Sequence, residues 1–283
     1  MADVEPTRHL PDYYLFLLTL DAAAVPAAVM LATAPVTAAM RSWAGPATPS
    51  PRLEEVRDGG ENAKAGGCCP SPPAVEMVDA LEGPLWTLWG AIHTAAMDTP
   101  AARQGALVDL LFCIAALPPP SCAISGAAIT VWDAPLWSGL PIWVADVRET
   151  FNFDPSDPED ATPWAVVAWP RFNAFLARVV QRAAASADGA VVDGQGQEVL
   201  SSVALQGLWA LREGLEDVPT AAGEVAMPVT LHAAAVWMVY AAQDGAGGAG
   251  AVGAPEGRTK EGEDLARDLD AAVAAMEEAE GRV

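Results

Sequence analysis

Apolar side chains recur at intervals of three and four residues in several stretches of the chain. Two such stripes consist of Leu107, Leu110, Leu111 and Ile114, and of Phe172, Phe175, Leu176, Val179 and Val180. This spacing lines one side of an α-helix. β-Branched and aromatic residues do not gather into the alternating runs that strands need. The sequence therefore predicts an all-α fold, a compact irregular bundle of about eight to ten helices with disordered inserts.

Two stretches rich in glycine or in other small and polar residues interrupt the helical pattern, at residues 45–73 and 188–197. The longer one cannot bury enough apolar surface to offset its ordering entropy. We therefore expect one helical domain over residues 10–244, with a flexible insert at 45–73 and a short insert at 188–197. Residues 245–283 are expected to form a Gly-rich linker and an acidic C-terminal helix.

The tryptophans are concentrated in one part of the chain. Nine of the ten lie between Trp86 and Trp237. Because an indole side chain contributes more buried area than most residues, this interval is expected to contain the core.

The charge balance restricts the partners that the chain is expected to bind. It has 15 basic and 37 acidic residues, and its formal net charge is −22. Such a field repels phosphate backbones and anionic lipid headgroups, so we expect neither nucleic-acid nor membrane binding. Asp3 and Glu5 stand where a signal peptide needs basic residues. With four cysteines that follow no zinc or disulfide pattern, a cytoplasmic or nuclear protein is expected.

Motifs that resemble cofactor or metal sites lack the context that such sites require. The GAGGAG letters at residues 245–250 have no preceding strand and no following helix, as a dinucleotide-binding turn needs. The acidic stretch 154–160 does not have calcium-loop spacing. His9, His93 and His232 are far apart, and His93 and His232 are interpreted as satisfied core or boundary histidines. No cofactor and no metal are expected.

Two Arg-Glu pairs are the remaining candidates for function. At about 100° per residue, Arg212 falls within an apolar arc, whereas Arg148 lies at the edge of one. These arcs are Leu205, Leu208, Trp209 and Leu215, and Trp143, Val144, Val147 and Phe151. We therefore expect Arg212 to be substantially buried, and each guanidinium to require a carboxylate or carbonyl partner.

The two pairs admit two interpretations. In the first, they are structural ion pairs that fix helix register. In the second, Arg148, Arg212 and Asn173 converge on a cleft and hold a carboxylate or phosphate, with Glu149 or Glu213 as an acid or base. These five residues form the candidate ligand-binding set, and no catalytic residue is assigned.

Three segments carry a resemblance to a known family. They are LWSGLPIWVADVRETFN, the W-x-x-F-N-A-F-L-A-R segment from Trp169 to Arg178, and LWALREGLE from Leu208 to Glu216. In order and spacing, residues 74–244 resemble the fungal family labelled DUF3632. The chain departs from the family pattern at Phe151, where a tryptophan is usual, and at Arg171-Phe172, which replaces an Asn-Leu pair. The resemblance implies an intracellular, largely helical protein and no particular reaction.

Two functions from different classes follow as hypotheses. The first is a non-catalytic interaction or regulatory protein, because helices with aromatic anchors make partner grooves. The alternative is a small-molecule enzyme or binding protein of fungal specialised metabolism with an Arg/Asn/Glu-lined pocket. An enclosed cavity with both arginines would favour the alternative, whereas an exposed apolar groove would favour the first. An accessory hypothesis is that residues 256–283 dock a basic partner. Oligomeric state is not indicated by the sequence.

Overall fold

The computed structural model describes six stretches of the chain: residues 11–43, 74–122, 127–152, 162–185, 194–215 and 226–242. The insert expected at 45–73 and the linker and helix expected at 245–283 lie outside the described residues. Part of the second insert, residues 188–193, lies outside them as well.

Helices make up almost all of the regular structure in these stretches. In chain order the elements are α1 (Tyr14–Leu18), α2 (Val25–Trp43), α3 (Ala74–Asp98), a 3-10 turn (Ala101–Arg103), α4 (Gly105–Ala115), β1 (Thr130–Val131), β2 (Ala134–Pro135), α5 (Trp143–Phe151), α6 (Pro163–Ala185), α7 (Gly194–Leu215) and α8 (Ala226–Ala242). The two strands have only two residues each. The predicted all-α fold is confirmed.

The predicted stripes form the core. Every member of the α4 stripe is buried, and on α6 only Val180 retains partial exposure. Helix α6 lies centrally and packs against α3, α4, α7 and α8, while α2 packs against α3 and α4. The largest fully buried side chains include Trp89, Trp143, Phe172 and Phe175, which come from α3, α5 and α6.

Helix α6 begins at Pro163, and proline suits the first helical position because its missing N–H would have no intrahelical partner there. One boundary differs from the sequence prediction. Helix α7 begins at Gly194, so residues 194–197 are helical although they were assigned to an insert. Low glycine propensity is a weak constraint that tertiary packing overrides.

Residues 132–142, which we call the left-handed segment, run from the hairpin turn through β2 to the start of α5. Five non-glycine residues in it have positive φ: Trp132 (53°), Asp133 (62°), Trp137 (79°), Leu140 (45°) and Ile142 (70°). The first two form the turn between the antiparallel strands β1 and β2, where a type I′ turn requires positive φ at both central residues. Such backbone is unfavourable for bulky side chains, so the surrounding contacts must hold the segment in place.

Gln104 ties three elements together at the end of α3. Its buried Nε2 lies 2.8 Å from the Ala96 carbonyl oxygen and 2.8 Å from the Arg171 carbonyl oxygen, and it donates to both. Those carbonyls belong to α3 and α6, and Gln104 itself precedes α4. One amide therefore fixes the start of α4 against both long helices.

Candidate functional site

The four charged members of the sequence-predicted set lie on the surface. Arg148 and Glu149 are exposed on α5, and Arg212 and Glu213 are exposed on α7. Asn152 Nδ2 donates to Glu149 Oε2 at 3.1 Å. Asn173 is completely buried on α6. The structure thus separates the set into four exposed charged residues and one buried amide. These positions do not form an enclosed cavity that contains both arginines.

The prediction that Arg212 is substantially buried is wrong, because α7 packs through its small residues. A Cβ at Gly207 would lie 2.5 Å from Trp237, and one at Gly214 would lie 2.5 Å from the Thr230 carbonyl oxygen. These glycines allow α7 to approach α8 closely. The side of α7 with the large apolar residues, and with Arg212, consequently faces away from this contact.

The side turned outward is an apolar surface. Its members are between 56% and 66% exposed, and we call them the α7 apolar face: Leu205, Leu208, Trp209 and Leu215. On the neighbouring α8, Leu231 and Met238 are also exposed. Isolated exposed apolar residues are ordinary, but a stripe of large ones on a helix indicates an interaction surface.

The tryptophans divide between core and surface. The buried ones among the described residues are Trp89, Trp137, Trp143, Trp169 and Trp237. Three others, Trp132, Trp164 and Trp209, are more than half exposed. The concentration of indoles therefore indicated the core only in part. Trp132 is held at the surface by a hydrogen bond from its Nε1 to Glu82 Oε1 at 2.6 Å.

Asn173 links α6 to α8. Its Oδ1 accepts a hydrogen bond from Trp237 Nε1 at 2.8 Å, and its Nδ2 donates to the Trp169 carbonyl oxygen at 3.0 Å. Five residues further along the chain, the Arg178 guanidinium lies 4.0 Å from the centre of the Tyr240 ring, a cation–π contact between the same two helices. The contacts of Asn173 therefore support a role in holding α6 and α8 together.

The most polar part of the core surrounds His93, which is 1% exposed. Its Nδ1 lies 2.6 Å from Asp146 Oδ2, within hydrogen-bond distance although not well aligned. The rings of Trp143, Phe172 and Phe175 contact the imidazole, with centroids at 6.1, 5.2 and 6.4 Å respectively. We call these five residues the His93 centre.

Three nitrogens of the His93 centre have no aligned hydrogen-bond partner among the described residues, namely His93 Nδ1, His93 Nε2 and Trp143 Nε1, and Asp146 Oδ2 has none either. His93 and His232 are both buried, but neither nitrogen of His93 has an aligned hydrogen-bond partner among the described residues, so His93 is not the satisfied core histidine that the sequence predicted. Asp146 was missed by the sequence reasoning because it is distant in sequence from His93. The available signal was a carboxylate beside Trp143 and Val147 on the apolar side of α5, which requires a partner.

Asp98 receives two aromatic donors at the end of α3. Tyr14 Oη donates a hydrogen bond to Asp98 Oδ2, and Trp164 Nε1 donates to Oδ1 at 3.1 Å. Burial, followed by the hydrogen bond and the negative charge of Asp98, raises the pKa of the Tyr14 hydroxyl far above its usual range. Burial alone raises the pKa of Tyr13 to about 12. Both phenols are therefore neutral at physiological pH.

The described residues contain no group of three or more His, Cys, Asp or Glu side chains placed to hold a metal ion. The acidic stretch 154–160 lies outside them. No helix in the described ranges combines the length and the apolar character needed to cross a bilayer.

The fold and the contacts above define a helical protein whose core has a buried histidine–carboxylate pair. The chain belongs to the family described as "Protein of unknown function (DUF3632)", whose family model matches residues 89–246, more than half of the chain. The resemblance to this family is thereby confirmed, over residues 89–244 of the expected 74–244. No curated protein matches the chain, and no solved structure matches it either.

Proposed function

We propose that this chain is a non-catalytic interaction or regulatory protein that binds an amphipathic, net basic helix of a partner protein. The observation that supports the proposal most is the exposure of the α7 apolar face. Large apolar side chains on a helix lose contact with water when a partner covers them, and exposed tryptophan is enriched among the residues that dominate binding energy. Trp209 is the expected anchor.

The length of this face fits a helical partner. From Leu205 to Leu215 the helix rises about 15 Å, close to three turns. A partner helix with apolar residues at i, i+3 or i+4, and i+7 presents a stripe of comparable length.

Charge supports a basic partner. The chain has a net charge of −22, which accelerates encounter with basic proteins and opposes the approach of a second copy of the same chain. A partner with a net positive helix is therefore favoured over self-association. On the family resemblance, we further propose that the protein is fungal and acts inside the cell.

A second candidate is a small-molecule enzyme or binding protein of fungal specialised metabolism. The surface positions of Arg148 and Arg212 do not favour an enclosed pocket built on the Arg/Asn/Glu set. The His93 centre favours this candidate instead, because a histidine beside a carboxylate is a common proton-accepting arrangement.

The first proposal is tested by selection from a displayed library of helical peptides with random surface residues. Wild-type protein is expected to select amphipathic peptides with net positive charge. Trp209→Ala should weaken their binding by about 2 kcal/mol, roughly thirtyfold, as truncation of a central anchor does. Binding should also weaken as salt increases.

The matched control is Met30→Ala on α2, which removes an apolar side chain that is 76% exposed but lies on another helix. It should leave peptide affinity unchanged. Selected peptides that bind Trp209→Ala and Met30→Ala equally well would contradict the proposal. Concentration-dependent dimerisation that Trp209→Ala abolishes would also contradict it, because it would make a second copy the occupant.

A further inference from the structure

We propose that the His93 centre binds a hydroxyl group, carried by a small uncharged alcohol or phenol, or by water. The inference is independent of the α7 apolar face. It rests on two buried nitrogens on neighbouring rings, His93 Nε2 and Trp143 Nε1, for which the described residues supply no hydrogen-bond partner. His93 is 1% exposed, and Trp143 is fully buried.

The protonation of the pair determines what His93 Nε2 can do. His93 Nδ1 and Asp146 Oδ2 are 2.6 Å apart, so a hydrogen on one of these atoms is needed to avoid repulsion between their lone pairs, although the geometry does not align it between them. A neutral imidazole with its hydrogen on Nδ1 accepts a hydrogen bond at Nε2, whereas an imidazolium donates one there.

Trp143 Nε1 can only donate, because an indole nitrogen has no available lone pair. The centre therefore offers one donor and one acceptor when His93 is neutral, and two donors when it is protonated. A hydroxyl fits both cases, since its oxygen accepts from Trp143 and from a protonated Nε2, and its hydrogen can point to an unprotonated one. A carbonyl or ether would serve both nitrogens only with a protonated His93, and an ammonium only an unprotonated His93.

The neighbouring rings and their surroundings allow such a group. The ring centroids of His93 and Trp143 are 6.1 Å apart, and the proposal requires their two nitrogens to lie within about 5 Å of each other, the span that one oxygen bridges with hydrogen bonds of about 2.9 Å. Phe172 and Phe175 contact the imidazole with their rings. A molecule that carries the hydroxyl must therefore be largely apolar, and an anion would be repelled by the Asp146 carboxylate.

The backbone holds Trp143 in position before any ligand arrives. Trp143 begins α5 directly after Ile142, whose φ is 70°. Trp89 Nε1 donates to the Pro141 carbonyl oxygen at 2.8 Å, which ties this end of the left-handed segment to α3. The donor and acceptor thus lie on elements that are fixed to one another.

The first test uses probe molecules that differ at the hydroxyl. Thermal unfolding and calorimetric titration would be measured with phenol, toluene and benzoate. Phenol is expected to bind at least tenfold more tightly than toluene, and benzoate should not bind. Trp143→Phe should reduce phenol affinity at least tenfold, whereas Trp137→Phe, the same change at another buried indole, should not. Trp209→Ala should bind phenol like the wild type, which separates this site from the α7 apolar face.

A high-resolution crystal structure of the unliganded wild-type protein tests the water alternative without any variant. An ordered oxygen within 3.2 Å of both nitrogens would establish water as an occupant and support the proposal. If that oxygen is absent and phenol binds no better than toluene, the proposal is overturned.

Discussion

The His93 centre and the α7–α8 contact show opposite uses of side-chain size. Around His93, large aromatic rings are turned inward and enclose a polar pair. Between α7 and α8, glycine allows close approach while the large apolar residues of α7 are turned outward. Burial is therefore determined by the space at each contact as well as by hydrophobicity, and an apolar stripe on a helix does not always mark its inner side.

The sharpest test of this comparison truncates one aromatic residue in each region. Phe175→Ala removes a fully buried ring and should lower the free energy of unfolding by about 3–5 kcal/mol, because it loses transfer energy and leaves a cavity. Trp209→Ala removes a residue that is 66% exposed and should change it by less than about 0.5 kcal/mol. Urea denaturation measures both. Equal losses would show that Trp209 packs inside the protein in solution.

A second test adds a methyl group in place of removing a ring. Gly214→Ala puts a Cβ 2.5 Å from the backbone oxygen of Thr230, and should destabilise the protein by about 1–3 kcal/mol because backbone cannot move aside easily. The control is Gly90→Ala on α3, where no atom lies within 4 Å of the new Cβ. This change should stabilise the helix by up to about 1 kcal/mol. If Gly214→Ala stabilised the protein, this would contradict the explanation that glycine is needed for the close contact between α7 and α8.

A third test removes an unpaired buried group that lies outside the His93 centre. Tyr13 Oη is buried without a hydrogen-bond partner among the described residues, so Tyr13→Phe should be neutral or stabilising by up to about 1 kcal/mol at pH 7.

The pH dependence of the same variant follows from the raised pKa. Burial raises the pKa of Tyr13 from 10.0 to about 12, so the unfolded chain loses this proton first. The wild-type free energy of unfolding should therefore fall as pH rises from about 10 to about 12. Tyr13→Phe should lack this part of the fall, and identical pH profiles in urea denaturation would contradict the assignment.

The smallest effects are expected at the two arginines. Arg148→Met and Arg212→Met alter exposed side chains, and each should change the free energy of unfolding by less than about 0.5 kcal/mol. Thermal unfolding of both variants beside the wild type is the measurement. A cost of several kcal/mol for either would support the interpretation as a structural ion pair.

Helices α4 and α6 could be predicted because their stripes consist of large apolar residues that are buried in the core, as Leu111 and Phe175 are. The orientation of α7 could not be predicted in this way. It is determined by Gly207 and Gly214, which have no side chain and therefore do not contribute to a pattern of apolar residues. The pairing of His93 with Asp146 depends on how α3 and α5 meet, which sequence spacing does not encode. Of the candidate set, the burial of Asn173 follows from its place within the α6 stripe.

The positive φ values of the left-handed segment could not be anticipated either, because none of those five residues is glycine. Local preference would place Trp137, Leu140 and Ile142 in ordinary β or α backbone. Their observed conformations are imposed by the hairpin and by the packing of α5 on α3, which appear only in three dimensions.

The left-handed segment also indicates where the folded protein is expected to open locally. Since its backbone is unfavourable when separated from α3, local opening should begin there at a lower free energy than global unfolding. The backbone amides of this segment would then exchange their hydrogens with solvent sooner than those of α6 in the middle of the core.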